Sequence, residues 1–353
     1  MLYEKLKPLI FLLPPELAHS LTEALLRSLA FVCPSSLNFF AKAYIIDDDR
    51  LKQELLGLNF YNPVGIAGGF DKNATMFRPL AALGFGFLEF GTFTPKAQAG
   101  NEKPRLFRLV EQESLQNAMG FNNDGTGKIA SRLSSLYPFI LPVGANIGKN
   151  KATKNEDAIK DYTQLLESFK HLCDYFIINI SSPNTKNLRA LQETSFLNEL
   201  LNEAQKITQK PILIKIAPDM KIKEAINLCQ NASQQGAKGF IIANTSTDYS
   251  LLDNNRTFGG ISGALIKEKS RNFFKGVAKE LFNKTLLISS GGIDSAQEAY
   301  TRFKDGANLV QIYTALVFKG PSLVKDINEG LLELMQEEGV RHISDIIGEN
   351  LKR

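Results

Sequence analysis

Residues 212–245 read ILIKIAPDMKIKEAINLCQNASQQGAKGFIIANT, and this stretch decides the fold. It begins and ends with short, nearly continuous apolar runs, which are typical of parallel strands that are buried on both faces. Between the two runs, residues 222–235 carry apolar side chains at helical spacing. The stretch therefore predicts a strand, a helix and a second strand in succession.

The same alternation continues on both sides of this unit. Eight apolar runs follow residue 60, and they lie at residues 64–68, 86–92, 142–148, 175–181, 212–218, 239–245, 286–292 and 309–315. Helical periodicity occupies residues 157–171, 196–207, 222–235, 270–281 and 295–305. Unbroken alternation of eight strands predicts an α/β fold of the (β/α)8 or TIM barrel type rather than a doubly wound sheet.

A long segment, residues 93–141, interrupts the regular spacing after the second predicted strand. In (β/α)8 barrels, the loops that follow the strands build the active-site face. Long excursions of this kind are usually functional, so we expect this segment to cover the functional site.

The composition excludes several classes of protein. Among 353 residues, 41 basic and 37 acidic side chains give a net charge of +4, and no basic run is dense enough to bind a nucleic-acid backbone. The three histidines, His19, His171 and His342, are too few for a three-histidine zinc site with a separate base, so we expect no metal. The three cysteines are far apart, which favours a reducing compartment without disulfides.

Residues 1–46 form a separate unit ahead of the barrel domain, which we place at residues 47–353. Leucines recur on one helical face before Pro15 and again after it, which predicts a pair of helices. The apolar run at residues 9–13 is too short for a signal peptide, and four basic and three acidic side chains leave a charge of only +1. Two interpretations remain: a helical cap on the barrel, or an apolar face that enters a membrane interface or lines a tunnel.

The predicted carboxyl ends of the strands, where barrels place their chemistry, are rich in Asn, Lys, Thr and Gly. They contain no histidine, and Asp71 is the one acidic residue with an obvious inward role. A Ser-His-Asp triad and a two-carboxylate glycosidase site are therefore both disfavoured. Asn, Lys, Thr and Gly at these strand ends suit a flat, polar, partly anionic ligand, which amide and ammonium groups would hold as hydrogen-bond donors.

Two glycine clusters, residues 258–263 and 290–292, flank the seventh predicted strand. They either turn the chain or bring backbone N–H groups close to a phosphate, and the last loops of a barrel are its usual phosphate site. No GxGxxG motif follows the first strand, so a mononucleotide fits better than a dinucleotide.

Lys215 lies in the middle of an apolar strand, where a lysine is costly unless its charge is paired. It can contact an anionic or electron-rich ligand, form an ion pair inside the barrel, or form a Schiff base as in an aldolase. Lys72, beside Asp71, has the similar alternatives of a ligand contact or an exposed loop pair. The local sequence around Ser182 predicts only a turn, which Pro183 makes more rigid.

Nine motifs, in order along the chain, resemble those of the dihydroorotate dehydrogenase family. They are AGGFDK (67–72), EFGTFTPK (89–96), GNEKPRLFR (100–108), NAMGFNN (117–123), NIGKN (146–150), NISSPNT (179–185), KIAPD (215–219), GGID (291–294) and VQIYT (310–314). The resemblance runs from about residue 5 to residue 325 and is closest to the quinone-dependent class, which carries N-terminal helices and a serine base. It implies oxidation of dihydroorotate to orotate on FMN in pyrimidine synthesis, with the electrons passed to a membrane ubiquinone or menaquinone.

The resemblance also implies roles for individual residues. Ser182 would be the catalytic base that removes the C5 proton while the C6 hydride goes to the flavin. The substrate would be held by Lys72, Asn117, Ala118, Met119, Gly120, Phe121, Asn179, Asn184, Asn244 and Thr245. FMN would be held by Gly68, Gly69, Lys72, Thr92, Asn146, Asn179, Lys215, Ala243, Gly263, Gly292, Tyr313 and Thr314, the last four of these at its phosphate.

The same resemblance implies a quinone site at His19, Arg108 and Tyr313, beside an apolar passage formed by residues 1–46. It implies a monomer attached peripherally to the cytoplasmic side of the cell membrane. This sequence departs from the family pattern at three positions. Relatives usually have Arg in place of Ala118, Thr or Ser in place of Ala243, and Ala in place of Gly68. Three alternatives stay open: a soluble enzyme that uses fumarate or NAD, a flavin-free lyase with Lys215 as its Schiff base, and a membrane-binding protein without activity.

Overall fold

The computed structural model describes residues 2–352, and a closed parallel barrel lies at its centre. The strands are β1 (Gln53–Leu55), β2 (Leu58–Phe60), β3 (Val64–Ile66), β4 (Phe87–Phe93), β5 (Leu106–Leu109), β6 (Ser114–Asn117), β7 (Val143–Ile147), β8 (Tyr175–Asn179), β9 (Ile212–Ile216), β10 (Gly239–Ile242), β11 (Gly260–Gly263), β12 (Leu286–Ser290) and β13 (Leu309–Ile312). The helices are α1 (Leu2–Phe11), α2 (Pro15–Val32), α3 (Pro34–Tyr44), α4 (Phe77–Ala82), α5 (Thr126–Ser134), α6 (Ala158–Phe169), α7 (Thr194–Ile207), α8 (Ile222–Gln234), α9 (Lys267–Leu281), α10 (Ala296–Lys304), α11 (Thr314–Lys319), α12 (Leu323–Glu337) and α13 (Ile343–Ile346).

Eight strands close the barrel in the order β3, β4, β7, β8, β9, β10, β12 and β13. Each predicted apolar run forms one of these strands, so the predicted (β/α)8 barrel is confirmed. Most strands end one to three residues before the predicted end, because polar residues there leave the ladder and enter the loops. The five predicted helices are α6 to α10, each within three residues of its predicted ends.

The long segment after β4 contributes a second, smaller sheet. Strands β5 and β6 form an antiparallel hairpin, and β6 also pairs with β11, from Asn117 opposite Gly260 to Ser114 opposite Gly263. The sequence predicted an excursion here but not its pairing with residues 260–263. Pairing between such distant segments leaves no local periodic signal.

Residues 2–44 form three helices rather than the predicted pair, because the chain breaks at Cys33 and Pro34 begins α3. Helix α2 packs against α4 and β5, and α3 packs against α4. The first helix is tied to α11: Lys7 Nζ donates to the Phe318 carbonyl (3.2 Å), and the Phe11 ring meets the Phe318 ring edge-on at 5.4 Å. The three helices therefore cover part of the barrel.

The outer surface of these helices is apolar. Eleven of the eighteen large hydrophobic side chains that are exposed in the described residues lie between Leu6 and Ile45. Within residues 2–352, no single helix is long and apolar enough to cross a membrane. Helices α2 and α3 pass that test together by length and composition, with a bend of 112° between them.

Candidate active site

A cavity of about 1190 Å³, including its open part, lies at the carboxyl ends of the barrel strands, and residues of β5, β6 and β11 form one wall. Most of the predicted substrate and cofactor residues line it. They are Gly68, Gly69, Lys72, Thr92, Asn117, Met119, Gly120, Phe121, Asn179, Ser182, Asn184, Lys215, Ala243, Asn244, Thr245, Gly263, Gly292, Tyr313 and Thr314. The structure thus brings these residues together, while their individual roles stay predictions.

Four predicted residues lie outside the lining of this cavity. Asn146 contacts it through Thr92, whose Oγ1 donates to Asn146 Oδ1 (2.6 Å). Ala118 is held by its backbone, since its N–H donates to the Arg105 carbonyl (2.8 Å). His19 belongs to α2, and Arg108, on β5, contacts the end of α1. The cavity wall therefore includes Met119 to Phe121 from the NAMGFNN motif but not Ala118.

Ser182 is buried in the loop after β8 and lines the cavity. Its Oγ accepts a hydrogen bond from the backbone N–H of Asn184 (3.2 Å), which closes a turn around Pro183. The neighbouring Ser181 Oγ instead accepts from Asn244 Nδ2 (2.9 Å). The two serines therefore differ: Ser182 faces the cavity, and Ser181 supports an asparagine.

Asparagines at the ends of β6 and β8 and in the loop after β8 surround the serine. Asn184 Nδ2 donates to Asn117 Oδ1 (2.9 Å), and Asn179 Nδ2 donates to Thr92 Oγ1 (2.8 Å). Two oxygens of the cavity wall, Asn184 Oδ1 and Thr245 Oγ1, are buried without a hydrogen-bond partner among the described residues. Because buried polar atoms are normally satisfied, the cavity suits a ligand that carries polar groups on its edges.

Lys72 supplies a positive charge at the cavity wall, and its Nζ donates to the Gly69 carbonyl (2.6 Å). Burial lowers the pKa of Lys72 to about 8, although the carboxylate of Asp71 opposes that shift. Most of the ammonium therefore remains charged at neutral pH. The expected inward role of Asp71 is wrong, because its carboxylate accepts backbone N–H groups between residues 73 and 76 and fixes its own loop.

The acidic residue inside the barrel is Glu89, which has no role predicted from the sequence. Its side chain is fully buried and accepts hydrogen bonds from Lys215 Nζ (3.0 Å), Asn146 Nδ2 and Gln311 Nε2 (2.6 Å). Of the alternatives for Lys215, the ion pair is observed, and the lysine also lines the cavity. A Schiff-base lyase is not favoured, because the lysine amine is already engaged by Glu89.

A second network, also missed, holds the serine loop from outside. Arg189 donates to the carbonyls of Ser181 and Thr245, at 2.8 Å each, and to Asp219 Oδ2 at 2.9 Å. Burial alone would raise the pKa of Asp219, but hydrogen bonds, the largest effect coming from Ser246, lower it to about 2. This ion pair ties together the loops that follow β8, β9 and β10.

Gly263 and Gly292 have positive φ angles of +99° and +73°. An added Cβ at Gly292 would lie 2.4 Å from Lys267 Cα, and one at Gly263 would lie 2.6 Å from the Glu113 carbonyl oxygen. Packing and backbone conformation alone therefore require glycine at both positions. Both residues also line the cavity, where their backbone remains close to any ligand.

A row of three rings leads from the cavity to the N-terminal helices. Tyr313 lines the cavity and meets Phe70 edge-on at 5.4 Å, and Phe70 meets His19 edge-on at 5.1 Å. Burial, together with the smaller effect of the Lys72 charge, lowers the pKa of His19 to about 4. The imidazole is therefore neutral at physiological pH.

Arg108, on β5, holds the end of α1. Its Nη1 donates to the carbonyls of Leu13 (2.7 Å) and Phe11 (3.3 Å), and its guanidinium lies 4.5 Å above the Phe11 ring. Its Nε is buried without a partner among the described residues. Arg108 therefore anchors the first helix.

The comparisons with known proteins agree along almost the whole chain. A family model described as dihydroorotate dehydrogenase matches residues 50–335. The chain is 53% identical to the dihydroorotate dehydrogenase (quinone) of a Nitratiruptor species, with 99% of each chain covered. It is 44% identical to the protein of the same description from Helicobacter acinonychis (strain Sheeba), with both chains fully covered.

A solved structure shows the same architecture at lower identity. The DHODH of Eimeria tenella in complex with ferulenol superimposes with a TM-score of 0.81 at 32% sequence identity, and the match covers 96% of each chain. The shared region includes both the barrel and the N-terminal helices, so the resemblance is not limited to a common fold. With a family match over residues 50–335 and relatives aligned end to end, this chain belongs to the dihydroorotate dehydrogenase family.

Proposed function

We propose that this chain oxidises dihydroorotate to orotate with FMN as its cofactor and a membrane quinone as the electron acceptor, a step of pyrimidine biosynthesis. The observation that carries the proposal is the cavity at the end of the barrel, where buried Ser182 lies among Asn117, Asn184 and Asn244. The relatives that are named for a quinone favour that acceptor over fumarate or NAD.

The described residues fit a flavin at the bottom of this cavity. Gln311 lines the cavity, and its Oε1 is buried without a partner among residues 2–352, so it needs a donor. Lys215 supplies a donor in the same lining. The pyrimidine edge of a flavin carries an N–H group and carbonyl oxygens that complement these two side chains. We assign the remaining contacts to Gly68, Gly69, Lys72, Thr92, Asn146, Asn179 and Ala243 at the ring and to Gly263, Gly292, Tyr313 and Thr314 at the phosphate.

The chain's own groups then perform the proton chemistry. FMN, when bound, supplies the acceptor for the hydride that leaves C6 of the substrate. Ser182 Oγ accepts the proton from C5, while Lys72 pairs with the carboxylate and the asparagines hydrogen-bond the ring amides. Serine is a weak base, so the transfer needs a site without competing water and a path for the proton. The burial of Ser182 and the cover provided by the small sheet favour the first condition.

We place the quinone at the other end of the ring row, near His19, Arg108 and Tyr313. The T-shaped ring contacts through Phe70 join this region to the cavity. A neutral His19 and the free Nε of Arg108 offer hydrogen bonds to quinone oxygens. The apolar surface of α1 to α3 suits the quinone tail and a membrane interface, so we propose peripheral attachment of a monomer to the cytoplasmic side of the cell membrane.

An anaerobic titration tests the proposed reaction directly. The purified chain should be yellow, with one FMN per protein, and dihydroorotate should bleach the flavin absorbance in a one-to-one ratio. A ubiquinone or menaquinone analogue should then restore the colour, whereas fumarate and NAD should not. A purified protein without flavin, or a flavin that dihydroorotate leaves oxidised, would refute the proposal.

The pKa of Lys72 predicts how ligand binding depends on pH. Only the charged ammonium attracts the substrate carboxylate, and this charge is lost as the pH rises through about 8. The dissociation constant of orotate should therefore be nearly flat from about pH 6 to about pH 7 and should rise about tenfold per unit well above pH 8. Titration of the flavin spectrum with orotate measures it. The Lys72→Gln variant should bind weakly with little pH dependence, and a flat wild-type profile up to about pH 9 would contradict the assignment.

A further inference from the structure

The feature without a role in the mechanism above is the buried carboxylate of Glu89. It lies on β4, where every residue of the strand is buried, and its own side chain is 0% exposed. Its three hydrogen-bond donors come from three other barrel strands: Asn146 on β7, Lys215 on β9 and Gln311 on β13. One carboxylate thus connects four of the eight strands across the barrel interior.

Two of these donors line the cavity that we assign to the flavin. Lys215 and Gln311 both belong to its lining, whereas Glu89 does not. Since Gln311 gives its Nε2 hydrogens to Glu89, its Oε1 is the atom left for a ligand, and that oxygen has no partner among the described residues. The carboxylate therefore orients the Gln311 amide so that its oxygen faces the cavity, and it fixes the position of the Lys215 ammonium there.

The position of this carboxylate also depends on Gly68. An added Cβ at Gly68 would lie 2.2 Å from Glu89 Oε1 and 2.9 Å from Asn146 Nδ2. Even the methyl group of an alanine at position 68 would displace the carboxylate from its observed place. The observed placement of Glu89 therefore requires glycine at position 68.

We propose that Glu89 is a positioning residue of the flavin site, which holds Lys215 and Gln311 from behind the cavity and lowers the reduction potential of the bound flavin through its negative charge. The inference rests on the proposed function, since it requires FMN in the cavity. In a buried site with a low dielectric constant, an anion beside Lys215 offsets part of the positive charge that favours electron uptake. Removing that anion leaves the lysine charge uncompensated and makes the flavin easier to reduce.

The Glu89→Gln variant tests the charge while keeping the side-chain size. For the FMN-loaded protein we expect the ratio of reduced to oxidised flavin at a fixed potential to rise at least tenfold, a positive shift of about 30 mV for a two-electron couple. Anaerobic titration against a reference dye measures this potential, and fluorescence of released FMN measures the dissociation constant. The constant should also rise, because the lysine and glutamine are no longer held.

The matched control is Asp305→Asn. Asp305 is a second buried carboxylate, directly after α10, paired with Lys275 at 3.1 Å and outside the cavity lining. This variant should lose thermal stability but keep the wild-type potential and FMN affinity. A stability loss in both variants with an unchanged potential in both would overturn the proposal and leave Glu89 as an ordinary buried ion pair.

A second variant, Glu89→Asp, tests the positioning role of Glu89 if Glu89→Gln does not fold. Glu89→Asp keeps the charge but withdraws the carboxylate from its partners, so FMN should bind more weakly while the potential moves less than tenfold in the reduced-to-oxidised ratio. Wild-type FMN affinity in Glu89→Asp would overturn the positioning role. Two results distinguish this inference from the proposed function. A wild-type protein that binds no FMN contradicts the proposed function itself. A wild-type protein that binds FMN, with a reduction potential that Glu89→Gln leaves unchanged, contradicts only the role of Glu89.

Discussion

Replacing Ser182 with alanine is expected to leave FMN bound and to slow flavin reduction by dihydroorotate about 10²–10⁴-fold at neutral pH, the range for loss of a general base. Ser182 is buried at the cavity wall, and the N–H of Asn184 already occupies one acceptor site of its Oγ (3.2 Å). Alanine removes the Oγ acceptor and, being smaller than serine, causes no steric clash with the neighbouring residues. Stopped-flow absorbance under anaerobic conditions measures the rate of the first half-reaction by itself.

The neighbouring Ser181 provides the comparison for this variant. It is equally buried but supports Asn244 and Asn179 rather than facing the ligand. Ser181→Ala should therefore weaken orotate binding more than it slows the chemical step, whereas Ser182→Ala should do the reverse. The residual rate in Ser182→Ala should rise with pH, because hydroxide replaces the missing base. A rate within about threefold of the wild type would show that another group takes the proton.

The barrel was predictable because its strands are buried on both faces and therefore appear as apolar runs. The polar residues that end these runs, such as Asn179 and Asn244, were predictable for the same reason, since parallel strands deliver their carboxyl ends to one side. The role of Ser182 was not, because its loop has the composition of any turn. Only the resemblance to a family singled out this serine.

Glu89 shows where the sequence contained a signal that was not used. Lys215 stood out as one charge within an apolar strand, and Glu89 stands in the same way within the run FLEFGTF of β4. Two lone opposite charges in buried strands are natural partners, because neither is stable there without the other. Their pairing at 3.0 Å still depends on barrel closure, since two strands separate β4 from β9 around the barrel.

The break at Cys33 and the β6–β11 pairing illustrate a different limit. Leucines continue at helical spacing towards Pro34, so the pattern alone does not show where the second helix ends. Four of the eight barrel strands separate β6 from its partner β11 along the chain, and strand pairing of this kind is set by tertiary packing. Local periodicity describes elements and leaves their long-range contacts open.

Replacing three leucines of α2 with glutamine is expected to abolish membrane attachment while leaving the first half-reaction intact. Leu17, Leu21 and Leu25 recur every four residues on one helix face and are 46%, 52% and 60% exposed. Because each is already about half-buried in the fold, its transfer to lipid contributes about 1 kcal/mol. The triple variant should therefore bind lipid vesicles roughly 100-fold more weakly. Co-sedimentation with phosphatidylcholine vesicles measures the change.

The control replaces three exposed apolar residues of the barrel domain, Val110, Ile140 and Ile222, with glutamine. This variant loses comparable apolar surface and should keep wild-type vesicle binding and quinone turnover. Equal losses in both variants would show that attachment has no preferred face, and unchanged binding in the leucine variant would refute insertion by α2.

Salt separates apolar insertion from electrostatic attraction. Residues 1–46 carry a net charge of only +1, so binding should change little between low and high ionic strength and between neutral and anionic vesicles. The leucine variant should also lose turnover with a long-chain quinone dissolved in vesicles but keep turnover with a short, water-soluble quinone. That pattern would locate the defect in access to the membrane, because the route from the flavin cavity through Tyr313, Phe70 and His19 remains unchanged in this variant.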